Sequence, residues 1–282
     1  MRPRRFMQVD VFTDRPFAGN PVAVVLDAAG LDTAAMQAIA RWTNLSETTF
    51  VLPADAPGAD YRLRIFTPGA ELPFAGHPTL GSAWAVRSSG TIAGDRERMI
   101  QQCGAGLVTV RVDGPRLWLR LPPQRHRALD AGQNRRLAQT LGLPSTLQAR
   151  AIDVGPVWLT AELDSDAAVL ALQPDLPALA RLSDELQVTG AVVFGHRHDG
   201  GDGPGYEVRA FAPAHGVPED PVCGSGNGCV ASLLAAGGRG TDYVARQGRA
   251  IGRDGFVQVH FDGADIEIGG HCVTVVEGAI RA

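Results

Sequence analysis

The chain has 282 residues, of which 45% are hydrophobic and 20% charged, and its formal net charge at pH 7 is −4. All 26 basic residues are arginine, which excludes enzymes that need a lysine: pyridoxal-phosphate enzymes, Schiff-base aldolases and Walker-type phosphate loops. The near-neutral charge balance also argues against nucleic acid as a partner, because such a surface needs a basic face.

The sequence is not typical of a membrane or exported protein. No apolar run approaches the about 18 residues of a membrane span, and the N-terminal segment lacks the apolar core of a signal peptide. The four cysteines show neither zinc-site spacing nor a disulfide framework. We therefore expect a cytoplasmic enzyme without a bound metal and without a membrane partner.

In chain order, the first half predicts strands and helices of an α/β fold. A helix with its apolar face at Met36, Ile39 and Ala40 follows a capping residue, Asp32 or Thr33. The other predicted elements of this half are strands at residues 8–12, 22–26, 49–52 and 61–66, a glycine-led helix around 79–86, and a final hairpin. The arginines ahead of the first strand, at positions 2, 4 and 5, are interpreted as a solvated tail.

The second half repeats the pattern of the first at an offset of about 145 residues. Arg64-Ile-Phe-Thr-Pro68 matches Arg209-Ala-Phe-Ala-Pro213, and each segment runs into a glycine-rich stretch followed by an apolar one. Segments 107–114 and 256–263 also match, and both alternate like strands and end in an Asp-Gly hairpin signal. Matches in the same order favour a duplicated α/β unit.

Further elements complete the second half. Helices are predicted at residues 134–141, near 177–182 and at 228–236. Segment 124–150, rich in Arg and Gln, is interpreted as the bridge between the halves, and the glycine-rich segment 195–205 as a loop. The predicted domains are residues 1–125 and 126–270, and the chain end at 271–282 could return to the first. No G-x-G-x-x-G motif follows the first strand, which disfavours dinucleotide binding.

Each glycine-led stretch predicts a row of backbone N–H groups at a helix N-terminus, which favours an anion such as a carboxylate. The alternative is that these glycines serve only tight turns and helix packing. Because two such stretches each follow an Arg-x-Phe-x-Pro segment, we favour a site in which the two termini face each other across a cleft.

Three ionisable residues are candidates for proton transfer. Glu47 lies between a predicted helix and the next strand, where partial burial would raise its pKa into a useful range; a surface glutamate is the alternative. His77 begins the first glycine-led helix and could donate a hydrogen bond as a neutral imidazole, or be structural. Asp220 precedes the second such helix and could belong to the site or merely cap the helix.

Cys223 begins the second glycine-led helix. Helix N-termini lower the pKa of a thiol, so Cys223 is expected to have thiolate character and could act as base or nucleophile. Alternatively, it is a small buried packing residue. Cys103, Cys229 and Cys272 are interpreted as core residues.

These segments together resemble the PhzF-like family, the phenazine-biosynthesis-type isomerases, which share a duplicated fold with diaminopimelate epimerase and proline racemase. The resemblance spans nearly the whole chain. The segments that carry it include residues 10–21, 44–50, 64–68, 76–80, 218–225, 247–253, 268–270 and 273–275.

The resemblance implies an α/β (α+β) fold of two similar domains, each a curled, mostly antiparallel sheet around a central helix. It also implies no cofactor and a homodimer. It assigns Glu47 as the general acid/base that moves a proton between carbons of a small carboxylated substrate. The other site residues that we expect are His77, Asp220 and Cys223 in catalysis, and Asn20, Gly76, Gly224 and Ser225 in substrate binding.

One departure from the family pattern leaves alternatives open. Cys223 stands where PhzF-like proteins usually have threonine, and it looks like the second catalytic cysteine of the epimerase relatives, whereas Ala75 replaces the first. A two-cysteine racemase is therefore excluded. An epimerase, racemase or dehydratase that uses Cys223 as base remains an alternative, as does an inactive binding protein.

Overall fold

The computed structural model describes residues 1–92, 96–144, 147–197 and 205–282. Its contacts divide the chain into two compact units, one formed by Met1–Arg120 with Gly269–Ala282 and the other by Leu121–Ile268. Within the predicted loop at 195–205, residues 198–204 lie outside the described residues. None of the helices in the described part of the chain is long and apolar enough to cross a membrane.

The first unit is mixed α/β. Its strands are β1 (Pro3–Val11), β2 (Asn20–Val25), β3 (Glu47–Leu52), β4 (Tyr61–Phe66), β5 (Glu71–Leu72), β6 (Arg98–Cys103), β7 (Gly106–Asp113) and β8 (Arg116–Arg120), and its helices are α1 (Thr33–Thr43) and α2 (Gly76–Ser88). Strand β1 pairs antiparallel with β2, β2 runs parallel to β3, and β3 pairs antiparallel with β4. Strand β4 pairs antiparallel with β5 and parallel with β6, and antiparallel pairs join β6, β7 and β8.

The second unit repeats this succession of pairings. Its elements are β9 (Arg125–Ala128), α3 (Ala131–Thr140), β10 (Ala149–Asp153), β11 (Val157–Leu163), α4 (Asp166–Leu170), α5 (Leu176–Leu186), β12 (Gly190–His196), β13 (Gly205–Ala212), β14 (Val217–Asp220), α6 (Gly224–Ala236), β15 (Tyr243–Gln247), β16 (Gly255–Asp262) and the start of β17 (Asp265–Arg281). Strand β10 pairs antiparallel with β11, β11 runs parallel to β12, and β12 pairs antiparallel with β13. Strand β13 pairs antiparallel with β14 and parallel with β15, which pairs antiparallel with β16. The duplication predicted from the sequence is therefore present in the strand pairing of both units.

The Arg-x-Phe repeat has the same structural role in both units. The guanidinium of Arg64 stacks over the ring of Phe66, and that of Arg209 stacks over Phe211. Each arginine also forms an ion pair with a glutamate on the neighbouring short strand, Glu71 or Glu219. Arg64 thus stabilises the pairing of β4 with β5, and Arg209 stabilises the pairing of β13 with β14.

One helix lies at the centre of each unit. Helix α2 contacts β1, β2, β3, β4, β6 and β8, whereas α6 contacts β10, β11, β12 and β16. Nine of the 13 residues of each helix are buried. Small residues permit this: a Cβ added to Gly81 would approach Val22 Cγ1 to 2.4 Å. A helix buried on all sides has no amphipathic period, and this agrees with the apolar character of both sequence stretches.

Local sequence signals account for the entry into β3. The side chain of Asp32 caps α1 by accepting a hydrogen bond from the backbone N–H of Ala35, as predicted. Met36 and Ala40 face the core. The helix ends at Asn44 in the left-handed conformation, with φ of 53°, after which the chain enters β3 at Glu47.

Two sequence interpretations are wrong. The predicted N-terminal tail is part of β1: Arg4 is only 5% exposed and donates a hydrogen bond to the carbonyl of Ala29, and Arg5 pairs with Asp27. The predicted bridge at residues 124–150 contains β9, α3 and the start of β10, and its Leu137 and Leu141 are fully buried. Its many arginines lie on the solvent side of these elements. Because they dominate the composition of the segment, the apolar positions between them were not recognised as a buried face.

Candidate active site

Glu47 and His77 lie together in the first unit. Glu47 is the first residue of β3, and His77 is the second residue of α2. Oε2 of Glu47 lies 3.4 Å from Nε2 of His77, and their side chains are only 15% and 8% exposed. The sequence placed both residues as candidates, and the fold brings them into contact.

The carboxyl of Glu47 is held in a weakly solvated position. Burial raises its pKa from 4.5 to about 7, against a smaller opposing effect of the Ser46 hydroxyl. Burial has this effect because it penalises the charged form of the acid. A carboxyl with a pKa near 7 is available both as an acid and as a base at neutral pH, which suits a group that takes up and returns a proton.

The N-terminus of α2 is open next to this pair. The N-cap residue, Ala75, has no side chain that can accept a hydrogen bond from the first turn. A Cβ added to Gly76 would meet no described heavy atom within 4 Å, so packing within the described residues does not require glycine there. Because no side chain caps this turn, its backbone N–H groups and the positive end of the helix dipole favour an anion. Asn20, the first residue of β2, is 1% exposed in the same unit.

The second unit brings Cys223, Ser225 and Asp220 together at the N-terminus of α6. Cys223 is the N-cap residue, and its Sγ accepts a hydrogen bond from the N–H of Gly226 at 3.2 Å. Oγ of Ser225 lies 3.6 Å from that sulfur and accepts a hydrogen bond from Trp158 Nε1 at 3.0 Å. Gly224 begins the helix between them.

The structure decides between the alternatives for two residues at this terminus. The expectation of a lowered pKa for Cys223 is wrong and the alternative of a buried residue is confirmed: burial raises the pKa of its thiol well above the usual value, and the charge of Asp220 raises it further. The Ser225 hydroxyl and the Gly226 N–H only partly oppose this effect. Asp220 does not cap α6: its carboxylate accepts a hydrogen bond from the N–H of Val222, and Cys223 is the cap.

The other cysteines divide in two groups. Cys229 and Cys272 are buried, as predicted. Cys103, predicted to be a core residue, is only partly buried because it stands at the end of β6, beside the turn into β7.

Two buried glutamines hold the central helices, and the sequence analysis missed them. Gln247 Oε1 accepts hydrogen bonds from the N–H of Cys223 and from Nδ2 of Asn227, and its Nε2 donates to the carbonyl of Asp220. In the first unit, Gln101 Nε2 donates to Oγ1 of Thr79. Both glutamines lie on strands parallel to the Arg-x-Phe strand, and both bind the fourth residue of their helix.

The repeat gave no signal for these residues. Both glutamines are 0% exposed although they are polar, but their strand registers differ: Gln101 pairs with Tyr61, whereas Gln247 pairs with Val208, two residues beyond the equivalent of Tyr61. Trp158 gave no signal either, because its indole contact with Ser225 joins residues far apart in the chain.

The proton-transfer position differs between the two units. Glu47 precedes Thr48, which pairs with Phe66; Gly190 precedes Ala191, which pairs with Phe211 in the same way. A Cβ added to Gly190 would lie 1.9 Å from the carbonyl oxygen of Phe211. The second unit therefore excludes any side chain at the position equivalent to Glu47.

No group of three or more His, Cys, Asp and Glu side chains within the described ranges is arranged to hold a metal ion.

Comparison with known proteins identifies relatives along the whole chain. The family described as phenazine biosynthesis-like protein matches residues 9–278. The "Antisense-enhancing sequence 1" protein of Schizosaccharomyces pombe is 37% identical and is aligned over 99% of both chains. The trans-2,3-dihydro-3-hydroxyanthranilate isomerase of Pseudomonas chlororaphis is 36% identical, over 98% of both chains.

Solved structures share the fold. The Bacillus anthracis phenazine biosynthesis protein of the PhzF family superposes with a TM-score of 0.87 at 24% identity, covering 100% of both chains. A hydroxyproline epimerase from Agrobacterium vitis superposes with a TM-score of 0.63 at 15% identity, over 99% of this chain and 92% of the other. The predicted epimerase-like α/β fold class is thereby confirmed.

Proposed function

This chain belongs to the phenazine biosynthesis-like (PhzF) family, whose relatives include named isomerases, and we propose that it moves a proton between two carbons of a small carboxylated substrate without a cofactor. Glu47 is the general acid/base of this proposal. In the first step its carboxylate takes a proton from one carbon, leaving an enolate-like anion. In the second step the carboxyl returns a proton to a different carbon, so that no atom is gained or lost.

The state of Glu47 carries the proposal. The shuttle needs a carboxyl that exchanges a proton at neutral pH and is shielded from water, and Glu47 combines a pKa of about 7 with a side chain that is 15% exposed. His77 lies beside this carboxyl, at 3.4 Å, and we assign its imidazole the role of donating a hydrogen bond to an anionic ligand. Acid–base help of this kind is worth about 10²- to 10⁴-fold in rate.

The rest of the rate enhancement would come from helix N-termini that stabilise negative charge. In the first unit we assign this role to the uncapped start of α2. In the second unit, Ser225 accepts a hydrogen bond from Trp158, and we assign its O–H to a ligand carboxylate in place of the contact with Cys223 Sγ at 3.6 Å. Both groups are fixed before a ligand arrives, which is the condition for strong electrostatic stabilisation.

An epimerase, racemase or dehydratase that uses Cys223 as base is less well supported. A base has to be deprotonated or easily deprotonated, and burial raises the pKa of Cys223 well above its usual value. The absence of a side chain at Gly190 also favours chemistry with one carboxyl over chemistry with matched groups on both units.

The test uses trans-2,3-dihydro-3-hydroxyanthranilate, the compound in the name of the Pseudomonas chlororaphis relative, in deuterium oxide. We expect isomerised product that carries deuterium, and a loss of about 10²-fold or more in the Glu47→Gln variant. The matched control is Glu71→Gln, a glutamate of the same unit that pairs with Arg64. Undiminished turnover in Glu47→Gln would refute the assigned role. A folded wild type that isomerises neither this compound nor any of a set of related carboxylates would favour the inactive binding protein.

A further inference from the structure

The second unit contains a cavity that is separate from the residues assigned above. Its volume is about 920 Å³, and it lies among β9, β10, α3 and the C-terminal end of α6. Leu129, Leu147 and Leu233 give it an apolar part. Arg135, Arg150 and Arg239 add three guanidinium groups. Cavities of about 300–1,000 Å³ with an apolar lining and few polar groups are typical of small-molecule sites.

Small side chains on three elements leave this volume open. Ala128 of β9 lies directly opposite Arg150 of β10 in the antiparallel pair, so the two side chains share one face of the sheet. Ala131 and Arg135 are four residues apart on α3 and therefore share one helix face. Ala236, in the last turn of α6, contributes only a methyl group to the lining.

Two of the three guanidinium groups are not neutralised. Arg239 forms two hydrogen bonds with the carboxylate of Glu162, at 2.7 and 2.6 Å. Within the described part of the chain, neither Arg135 nor Arg150 forms an ion pair or a hydrogen bond. The lining thus has an excess of two positive charges in a chain whose net charge is −4.

Arg135 and Arg150 are exposed, but within the described residues they differ from the neighbouring arginine of α3 because they have no carboxylate partner. Arg136, next to Arg135 on α3 and outside the cavity, is held by both carboxylate oxygens of Glu185, at 2.6 and 2.5 Å. The charge of Arg150 also acts on its surroundings: burial, and secondly Arg150, lower the pKa of His126 on the facing strand. A positive field beside an apolar surface favours a ligand that has one negative group and an apolar body.

We propose that this cavity binds an organic anion with an apolar body, of the chemical class of a medium-chain carboxylate. Arg135 and Arg150 bind the anionic group, and the leucine side chains contact the apolar body. The site does not depend on Glu47 or on the proposed isomerisation.

The experiment measures binding of octanoate to the full chain by isothermal titration calorimetry. We expect one saturable site, and binding that is about fivefold to tenfold weaker in both Arg135→Gln and Arg150→Gln. Arg136→Gln is the matched control and should bind like the wild type, because its guanidinium lies outside the lining. Ala236→Trp, which places an indole ring in the cavity without a change in charge, should weaken binding. The neutral analogue octanamide should bind more weakly than octanoate.

A second set of outcomes separates this site from the candidate active site, which also favours a carboxylate. Octanoate binding should be the same in Glu47→Gln as in the wild type. Equal affinity in wild type, Arg135→Gln and Arg150→Gln would overturn the proposal, since the probe would then bind elsewhere. Lack of saturable binding up to about 10 mM octanoate would also overturn the proposal. A dissociation constant above 10 mM corresponds to a binding free energy of less than about 3 kcal/mol, which is too small for a specific site. Neither result depends on whether the chain turns over a substrate.

Discussion

Replacement of Glu47 by glutamine should stabilise the fold at alkaline pH and change it much less at acidic pH. Glutamine keeps the size of the side chain and removes its ionisation. In the native protein burial holds the pKa of Glu47 at about 7, whereas the same carboxyl in the unfolded chain has its ordinary value of 4.5. The native state therefore binds the proton more tightly than the unfolded state does.

The sign and the size of the effect follow from this difference. Below pH 4.5 the carboxyl is protonated in both states, and its ionisation has no effect on stability. As the pH rises through 4.5 and then through 7, the unfolded state ionises first, so the native state loses up to about 3 kcal/mol relative to it. Between pH 5 and pH 8.5 the loss is about 2.5 kcal/mol. Glutamine cannot ionise, so the variant does not suffer this loss.

Urea denaturation of both proteins at these two pH values, followed by circular dichroism, measures the effect. The free energy of unfolding of Glu47→Gln minus that of the wild type should increase by about 2.5 kcal/mol from pH 5 to pH 8.5. Glu71→Gln is the control with the opposite sign. Its hydrogen bonds with Arg64 lower the pKa of Glu71, so this substitution should cost more stability as the pH rises from acid to neutral.

The reasoning would be refuted by a difference between wild type and Glu47→Gln that is independent of pH. Such a result would mean that the carboxyl titrates alike in the folded and unfolded chains and is solvated in the native protein. Both the electrostatic description of the site and the proton shuttle that depends on it would then fail. The result is obtained without a substrate and is therefore independent of the choice of compound in the activity assay.

The remaining predictions concern the start of α6. Between about pH 6 and 9, Cys223 should react with iodoacetamide much more slowly than the partly buried Cys103, because burial raises the pKa of Cys223. Peptide mapping by mass spectrometry measures the two rates, and equal rates in the native protein would contradict the burial of Cys223. Gln247→Leu removes two hydrogen bonds that Gln247 accepts and one that it donates, and should cost at least about 3 kcal/mol of stability in urea denaturation. The control is Gln173→Leu at an exposed position, whose free energy of unfolding should stay within about 0.5 kcal/mol of the wild-type value. An equally small effect of Gln247→Leu would show that Gln247 does not hold the helix.

Much of the fold could be predicted because local signals and the repeat agree. The cap at Asp32 and the turn glycine Gly114 each fix a backbone conformation by themselves. The Arg-x-Phe segments identify matching strands, so the elements predicted in one half support the elements predicted at the matching positions of the other half. Where a segment has no partner in the repeat, as in residues 124–150, composition alone was misleading: its helix was predicted, but the segment was interpreted as a bridge although it belongs to the second unit.

The electrostatics of the site could be predicted only where burial and local chemistry act in the same direction. For Glu47 the apolar neighbours in the sequence allowed partial burial, with a surface glutamate as the alternative, and the fold buries the carboxyl and so raises its pKa. For Cys223 the helix terminus lowers the pKa whereas burial raises it, and only the packing around α6 decides which is larger. A sequence motif indicates the helix terminus but does not indicate how deeply the thiol is buried.

The two units retain the same support and differ in the groups that face a ligand. A buried glutamine holds the fourth residue of the central helix in both, through Gln101 and Gln247. A glycine begins that helix in both, and the next residue is His77 in one unit and Ser225 in the other.

The decisive difference is on the neighbouring strand. Glu47 fits at the start of β3, whereas the carbonyl of Phe211 leaves room only for glycine at the equivalent place in β12. One titratable carboxyl in a duplicated scaffold is sufficient when the same group removes a proton and returns it. A racemase needs a second acid or base on the opposite face of its substrate; Gly190 has no side chain to supply it, and burial raises the pKa of Cys223 well above its usual value. The duplication therefore supports a shuttle in which Glu47 performs both steps.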